Sequence, residues 1–260
     1  CSVLALCAVL TVNAVQLQRT STVTALDVSQ GQSIVFSSGR ACAVVDCGGR
    51  STAEDPGDLA ARKLFAQGHR SLDLLVLTHP HDDHVNGVLR LMHWLPVRTL
   101  VIPAAADTTQ APLSDILALA EANHTAVVRV DAERTVTAGG ISVHLYPEPC
   151  AGQEDGSMIV LASIGDYDTL VPGDVDMTAE VKFLSSCTYP GIELLLVGHH
   201  GSNRSTSDAW LDAIAPDAAI ISVGYNTYGH PTSETLERLQ AHNIPIYRTD
   251  QMGDITVHLS

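Results

Sequence analysis

The apolar run Leu74-Leu75-Val76-Leu77 feeds directly into Thr78-His79-Pro80-His81-Asp82-Asp83-His84, and this junction limits the fold more tightly than any other stretch. An unbroken apolar run of this length indicates a strand buried on both faces, which requires a sheet covered on each side. The seven residues after it hold three histidines and two aspartates. A plain solvated turn would draw on Gly, Asn, Asp and Pro, not on alternating His. Imidazole and carboxylate groups at this spacing suit Zn²⁺ or another first-row divalent ion.

Strands and helices alternate on either side of this loop. Short β-rich runs at 22–28, 33–37 and 41–46 are separated by Gln30-Gly31 and Ser38-Gly39, which have the composition of hairpin turns. A helix at 59–67 leads to the strand 73–78, and a second helix at 85–94 places Val88, Leu91 and Leu95 at helical spacing. Next come a strand at 99–102, a helix at 113–123, and strands at 126–130 and 141–146 around the turn Gly139-Gly140. A hairpin (158–164 and 169–171), a helix at 178–186 and a strand at 193–197 follow. The tail adds a helix from Ser207, a strand at 218–222, a helix at 233–242 and strands near Ile246 and Ile255. This order predicts an α/β fold over residues 20–260, with two mixed sheets face to face and helices outside: an αββα four-layer sandwich.

The chain has 260 residues and a formal net charge of −15. That balance excludes a generally basic nucleic-acid-binding surface. It does not exclude a nucleic-acid substrate, because bound metal ions invert the field at a site. The six cysteines, at positions 1, 7, 42, 47, 150 and 187, form no CxxC pair. Neither a zinc ribbon nor a structural disulfide framework is expected, and most of them fit small buried apolar positions. Residues 1–18 carry no charge, and 3–12 are almost wholly apolar. The segment 1–19 has the character of the end of a truncated transmembrane helix, with a signal-peptide core and a buried domain element as competing readings.

Polar residues recur where apolar strands end: Asp46 after Val44-Val45, His79 after Leu77-Thr78, Asp174 after Pro172-Gly173, and His199 after Val197-Gly198. Ligands placed at strand ends can converge across a sheet edge. His79-x-His81-x-Asp83-His84 resembles the metal-binding signature of the metallo-β-lactamase superfamily. Asp174 resembles its bridging aspartate, and Gly198-His199-His200-Gly201-Ser202 its later histidine motif. Leu26-Asp27-Val28-Ser29-Gln30-Gly31, Gly198 to Ser202, Gly229-His230-Pro231 and Arg248-Thr249-Asp250 together are similar to the C-terminal hydrolase-like domain of ComEC-type DNA-uptake (competence) proteins. The resemblance covers nearly all of the chain after Arg19.

The resemblance implies two divalent metal ions, Zn²⁺ or Mn²⁺. His79 and His81 would hold one ion, Asp83 and His84 the other, and Asp174 would bridge them. One of His199 and His200 would complete the second site, since adjacent residues on an extended chain point apart. Two departures stand out. The loop 148–157 lacks the histidine that many superfamily members place between the first motif and the bridging aspartate, which leaves water or a carboxylate such as Asp155 to complete the first site and shifts the odds toward Mn²⁺. His144, on an alternating strand, is expected at the surface or behind a ligand. In Ser29-Gln30-Gly31-Gln32 the family usually has Gly first and Asp last, which puts a catalytic role for this loop in doubt.

Asp46 is expected to orient a ligand or cap a turn. His230 is a candidate for substrate binding or proton donation, and Ser202 and Asn203 for a phosphate at a helix start, with a plain N-cap as the alternative for Ser202. His69, His93, His124, His242 and His258 suit surface or packing roles. Asp83 or Asp174 would take a proton from an activated water.

Three functions follow. The first is a phosphodiesterase, most simply a nuclease acting on DNA during uptake, joined to a membrane channel and placed on the extracytoplasmic side of the cell membrane. The second is a metallo-hydrolase of another ester, lactone or phosphodiester. The third is a non-catalytic domain that guides DNA. A nuclease predicts Arg204, Arg134 and Arg248 near the cleft, a small-molecule hydrolase a narrow apolar pocket, and a passive domain a malformed metal loop.

Overall fold

The computed structural model describes residues 20–50, 54–147 and 157–259. The apolar segment 1–19 and most of the loop around Asp155 lie outside them, as do Cys1, Cys7 and Cys150. In the first sheet, β1 (Ser21–Ala25), β2 (Ile34–Ser38) and β3 (Ala41–Val45) run antiparallel, with β14 (Ile255–Leu259) outside β1. The strands β4 (Leu72–Val76), β5 (Val97–Pro103) and β6 (Ala126–Val130) then continue from β3 in parallel. The second sheet repeats this plan. Its antiparallel part is β7 (Arg134–Ala138), β8 (Ile141–Tyr146), β9 (Ile159–Ile164) and β10 (Tyr167–Val171). Its parallel part adds β11 (Leu194–Leu196), β12 (Ala218–Ile221) and β13 (Ile246–Arg248).

Three apolar layers hold the sheets and helices together. Between the sheets, Phe36, Val45, Val76 and Val101 meet Val143, Leu145, Val160 and Leu196. Outside the first sheet, α1 (Pro56–Ala66), α3 (Val88–Trp94) and α4 (Leu113–Ala122) bury Leu64, Leu91 and Ile116 against Val44, Leu75 and Leu100. Outside the second, α5 (Met177–Ser186), α6 (Asp208–Ile214) and α7 (Ser233–Ala241) bury Phe183, Trp210 and Leu239 against Leu195 and Ile221. The strand β4 explains its own sequence. Leu75 faces the helices and Leu74 and Val76 face the other sheet, so the run is apolar on both faces, while Asp73 near the strand's start pairs with Arg98. The architecture is the αββα four-layer sandwich.

Several local expectations need correction. The link between β1 and β2 is the loop 26–33, not a tight hairpin at Gln30-Gly31. The helix expected at 85–94 is two pieces, α2 (Asp82–Val85) and α3, because the Asn86 side chain turns to bond both the N–H and the carbonyl of Gly49. The strand β7 has no counterpart among the expected elements. Its Arg134, Thr135 and Thr137 are exposed on a sheet edge, so it lacks the apolar run that marks a strand. A short helix, α8 (Thr249–Met252), also went unsignalled. Cys42 and Cys47 are buried free thiols, and Cys187 is a partly buried one. Among the described residues no helix is long and apolar enough to cross a membrane.

Phe183 joins the outer core of the second sheet by ring contacts to Tyr146, Tyr189 and Trp210 at 4.9, 5.0 and 5.1 Å between centroids. Removing the ring leaves a cavity among side chains that cannot close over it. Phe183→Ala is expected to cost about 3–5 kcal/mol of stability, read from the urea midpoint at unchanged slope.

Candidate metal centre

The parallel pairs β3·β4 and β10·β11 end on one side of the sandwich, and a polar residue follows each of these strands there. Asp46 follows β3 with a positive φ of 58°, and its carboxylate is fully buried. Oδ1 accepts from the Thr78 N–H at 2.7 Å. Oδ2 accepts from the Thr78 hydroxyl, the Gln32 amide and His84 Nδ1, each at 2.7 Å. A proton on His84 Nδ1 is therefore fixed on the Asp46 side, and Nε2 faces the other way, toward Asp174. The Thr78 hydroxyl donates to Asp46 and accepts from His79 Nδ1 at 3.0 Å, which turns His79 Nε2 toward His81 and Asp174. Asp46 thus has its oxygens taken up in orienting Thr78 and His84.

Gly48 explains how close the loops come. A Cβ there would lie 2.4 Å from the His84 nitrogen, so only glycine lets this segment lie against α2.

The second sheet supplies the other half. Asp174 follows β10, and its Oδ1 lies 3.2 Å from His84 Nε2 and 3.8 Å from His200 Nε2. Its Oδ2 lies 3.7 Å from both His79 Nε2 and His199 Nε2. One carboxylate therefore faces histidines on two sides. His199 and His200 sit in a 3₁₀ turn, Gly198–Gly201, not in extended chain, and both have positive φ, 50° and 54°. They still diverge. His200 is buried, with Nδ1 hydrogen-bonded to the Ser222 carbonyl at 2.8 Å and Nε2 3.6 Å from Asp83 Oδ2. His199 is more open and turns its ring toward His230, 5.5 Å away between centroids.

Two overlapping triads could each hold a metal ion: His79, His84 and Asp174, and Asp83, His84 and His200. His84 belongs to both. His81 stands beside the first triad without joining it, its Nδ1 3.1 Å from His79 Nε2 and its side chain exposed. The donor set fits a cation. His84 Nε2, Asp174 Oδ1 and His200 Nε2 are buried and have no hydrogen-bond partner, although two of them are 3.2 Å apart. Orphaned polar atoms of this kind are costly and rare, and a shared divalent ion would satisfy all three.

Charge follows from packing. Burial pushes His79 well below the ordinary imidazole value, helped by His84. Burial also works against a charge on His84, but Asp174 and Asp46 outweigh it and raise that imidazole well above its ordinary value. A metal taken at Nε2 would displace the proton there, so acid competes with binding. Burial opposes ionisation of Asp174 and Asp83 too, yet His84 and His200 outweigh it and hold both carboxyls below the usual range.

The remaining candidates are placed unevenly. His230 lines the cleft with Asp83, Asp174, His199 and His200. Ser202 and Asn203 do not. No helix starts at Ser202. The next one is α6, capped by Ser207, and the Ser202 hydroxyl accepts from the Arg204 N–H within its own turn. The Asn203 carbonyl accepts from Arg238. His144 is held by Thr135 and Glu133, away from the cleft. Arg204, Arg134 and Arg248 do not line the cleft either; Arg248 pairs with Asp250. The cleft's arginine is Arg50, with Gln30 and Tyr228 nearby, and none of the three was a candidate. Their signal was adjacency: Gln30 precedes Gly31, Arg50 follows Gly48-Gly49, and Tyr228 precedes Gly229-His230.

Comparison with known proteins agrees with this geometry. Residues 26–225 match the sequence model of the metallo-beta-lactamase superfamily. The chain belongs to that superfamily. As a superfamily member it has the fold of metal-dependent hydrolases. ComE operon protein 3 of Bacillus subtilis (strain 168) is 29% identical over 251 residues, covering 88% of this chain and 32% of that protein. Competence protein ComA of Neisseria gonorrhoeae is 30% identical over 238 residues, covering 89% of this chain and 31% of that protein. The similarity to competence proteins drawn from the tail motifs is therefore carried by alignment over most of the chain. The chain spans about a third of the length of these curated relatives. The superfamily fold is also seen in Zn²⁺-bound PqqB from Methylobacterium extorquens, with a TM-score of 0.58 at 16% identity over 92% of this chain and all of that one.

Asp46→Asn keeps the shape of the carboxylate but cannot accept from all its donors. It is expected to weaken divalent metal affinity of the superfamily site about 10- to 100-fold, measured by chelator competition.

Proposed function

We propose that this centre is a dinuclear phosphodiesterase and that its substrate is DNA handled during uptake at the membrane. The observation that carries the reading is the composition of the cleft, where Arg50 and His230 stand beside Asp174 and the two triads. A phosphate diester carries one negative charge, and a guanidinium matches its oxygens in a planar fork. A narrow apolar pocket for a lactone or thioester is not what these side chains build. The competence names of the two relatives favour DNA over other phosphodiesters. A membrane channel in the same protein or complex, with the hydrolase domain on the extracytoplasmic side, belongs to the same proposal.

His79, His81 and Asp174 would hold one ion, and Asp83, His84 and His200 the other, either Zn²⁺ or Mn²⁺; with Nδ1 taken by Asp46, His84 has one nitrogen to give and serves one ion. Such a pair supplies Lewis acidity and a strongly acidified water at neutral pH. Asp83 and Asp174 are both held ionised, and either would take up the proton that an attacking water gives up. Arg50 binds a non-bridging phosphate oxygen and fixes the diester across the cleft. Burial, then His199 and His200, push His230 below the ordinary imidazole value, so it meets the substrate neutral. A bound phosphate favours its charged form, and the same imidazole can then give a proton to the leaving oxygen.

The purified chain supplied with Mn²⁺ or Zn²⁺ is expected to cleave DNA, and His79→Ala or Asp174→Ala to reduce cleavage to background. Full metal occupancy with no cleavage of DNA or of a generic phosphodiester would sink the reading. Metal content measured by mass spectrometry separates the paired histidines. His200→Ala is expected to lose one ion per chain, and His199→Ala to keep both.

A further inference from the structure

Beside the metal ligands, the cleft holds a group of side chains that neither the fold nor the metals require. Tyr228 is 58% exposed, and its ring stands 5.9 Å from that of His230 at a tilt of 36°. Arg50 places its guanidinium 5.9 Å from the Tyr228 ring centre and donates from Nη1 to the phenol oxygen at 3.1 Å. Among the described residues no carboxylate pairs with Arg50. Gln30, only 2% exposed, lines the same cleft, and its Oε1 has no hydrogen-bond partner.

This group is built, not incidental. Asn226 Oδ1 accepts from the N–H groups of both Tyr228 and His230, and its Nδ2 donates to the carbonyls of Gly224 and His230. That brace fixes the segment presenting Tyr228. The segment in turn lies on the loop that carries Gln30. A Cβ on Gly224 would come within 2.4 Å of Ser29, and the Ser222 hydroxyl donates to the Gly31 carbonyl at 2.8 Å. An exposed ring on a braced loop stabilises the fold little, but it offers a flat face to a ligand.

Charge and size narrow the ligand. The cleft encloses about 480 Å³, room for one nucleotide-sized unit. The chain's net charge is −15, and Arg50 is the one permanently cationic side chain among the residues lining the cleft. Duplex binding depends on many phosphate contacts at once, which such a surface opposes. Binding through one phosphate and a stacked base needs a single guanidinium and an aromatic face. A base paired within a duplex is already stacked and cannot reach that face.

We propose that Arg50, Tyr228 and Gln30 form a nucleotide subsite for single-stranded nucleic acid. Arg50 takes a backbone phosphate, Tyr228 stacks on an unpaired base, and Gln30 offers an acceptor at the wall. The proposal rests on the phosphodiesterase reading and gives that site its strand preference.

The test is fluorescence anisotropy with the metal-loaded chain and a labelled phosphorothioate oligothymidylate, whose backbone resists turnover, free or annealed to oligoadenylate. The free strand is expected to bind more tightly than the duplex. Tyr228→Ala is expected to weaken it roughly 5- to 150-fold, the worth of one stacked base. Tyr228→Phe, which keeps the ring, restores most of that loss. Arg50→Ala is expected to make the plot of log affinity against log salt shallower by about 0.7, the signature of one lost single-strand phosphate contact. Equal or tighter duplex binding overturns the proposal, and so does single-strand binding indifferent to Tyr228→Ala. Single-strand binding that depends on Tyr228, with no cleavage of normal DNA, would instead defeat the hydrolytic reading and leave the subsite standing.

Discussion

The carboxylate of Asp46 has lost all contact with water, and donors from Gln32, Thr78 and His84 close on it. An ionised group in that position costs several kcal/mol unless its oxygens are fully satisfied, so the surrounding chain has little freedom to arrange itself differently. The loop 26–33 must bend inward to bring Gln32. The end of β4 must turn at Thr78, and α2 must sit where His84 can reach. The positions of His79, Asp83 and His84 follow from those demands before any ion is considered. One buried charge therefore sets the geometry of the first sheet's edge.

The parts of the centre that could be read in the sequence are those whose chemistry leaves little choice of residue. Alternating His and Asp after a buried strand points to metal ligands because no turn or core needs them. Asp174 and the His199-His200 pair were visible for the same reason. Which of the two histidines turns inward was not, since it depends on left-handed backbone and on the Ser222 carbonyl that holds His200. Ser202 and Asn203 misled because a small polar pair after glycine looks like a helix start, whereas the turn there continues to Ser207. Arg50, Gln30 and Tyr228 were silent because their importance comes from tertiary placement. An arginine or tyrosine beside glycine has many structural uses, and only the docked loops show what these face. The strand β7 was missed for a related reason, an exposed edge carrying too few apolar residues to mark itself.

The two sheets share one plan, an antiparallel meander that passes into parallel strands. The plan explains why ligands far apart in the chain meet. Parallel strands end on the same side, so whatever follows β3, β4, β10 and β11 is delivered to one edge of the sandwich. The loops that carry Gln30 and Tyr228 cover that edge and touch through Gly224 and Ser29. The candidate metal ligands come from strand ends, where the sheets hold them rigidly. The groups proposed to face substrate come from loops braced on one another, where sequence can change without disturbing the layers.

The division of Asp83 and His84 from Asp174 and His200 between the sheets has a mechanical consequence. Those residues lie far apart in the chain and are joined across the apolar layer between the sheets and by a few loop contacts, such as Ser222 to Gly31. An ion gripped from both sides would act as a rivet, closing that stretch as a covalent staple would and shrinking the range of shapes open to the unfolded chain. The mouth that receives substrate would then also be the clasp that keeps the two halves of the sandwich in register.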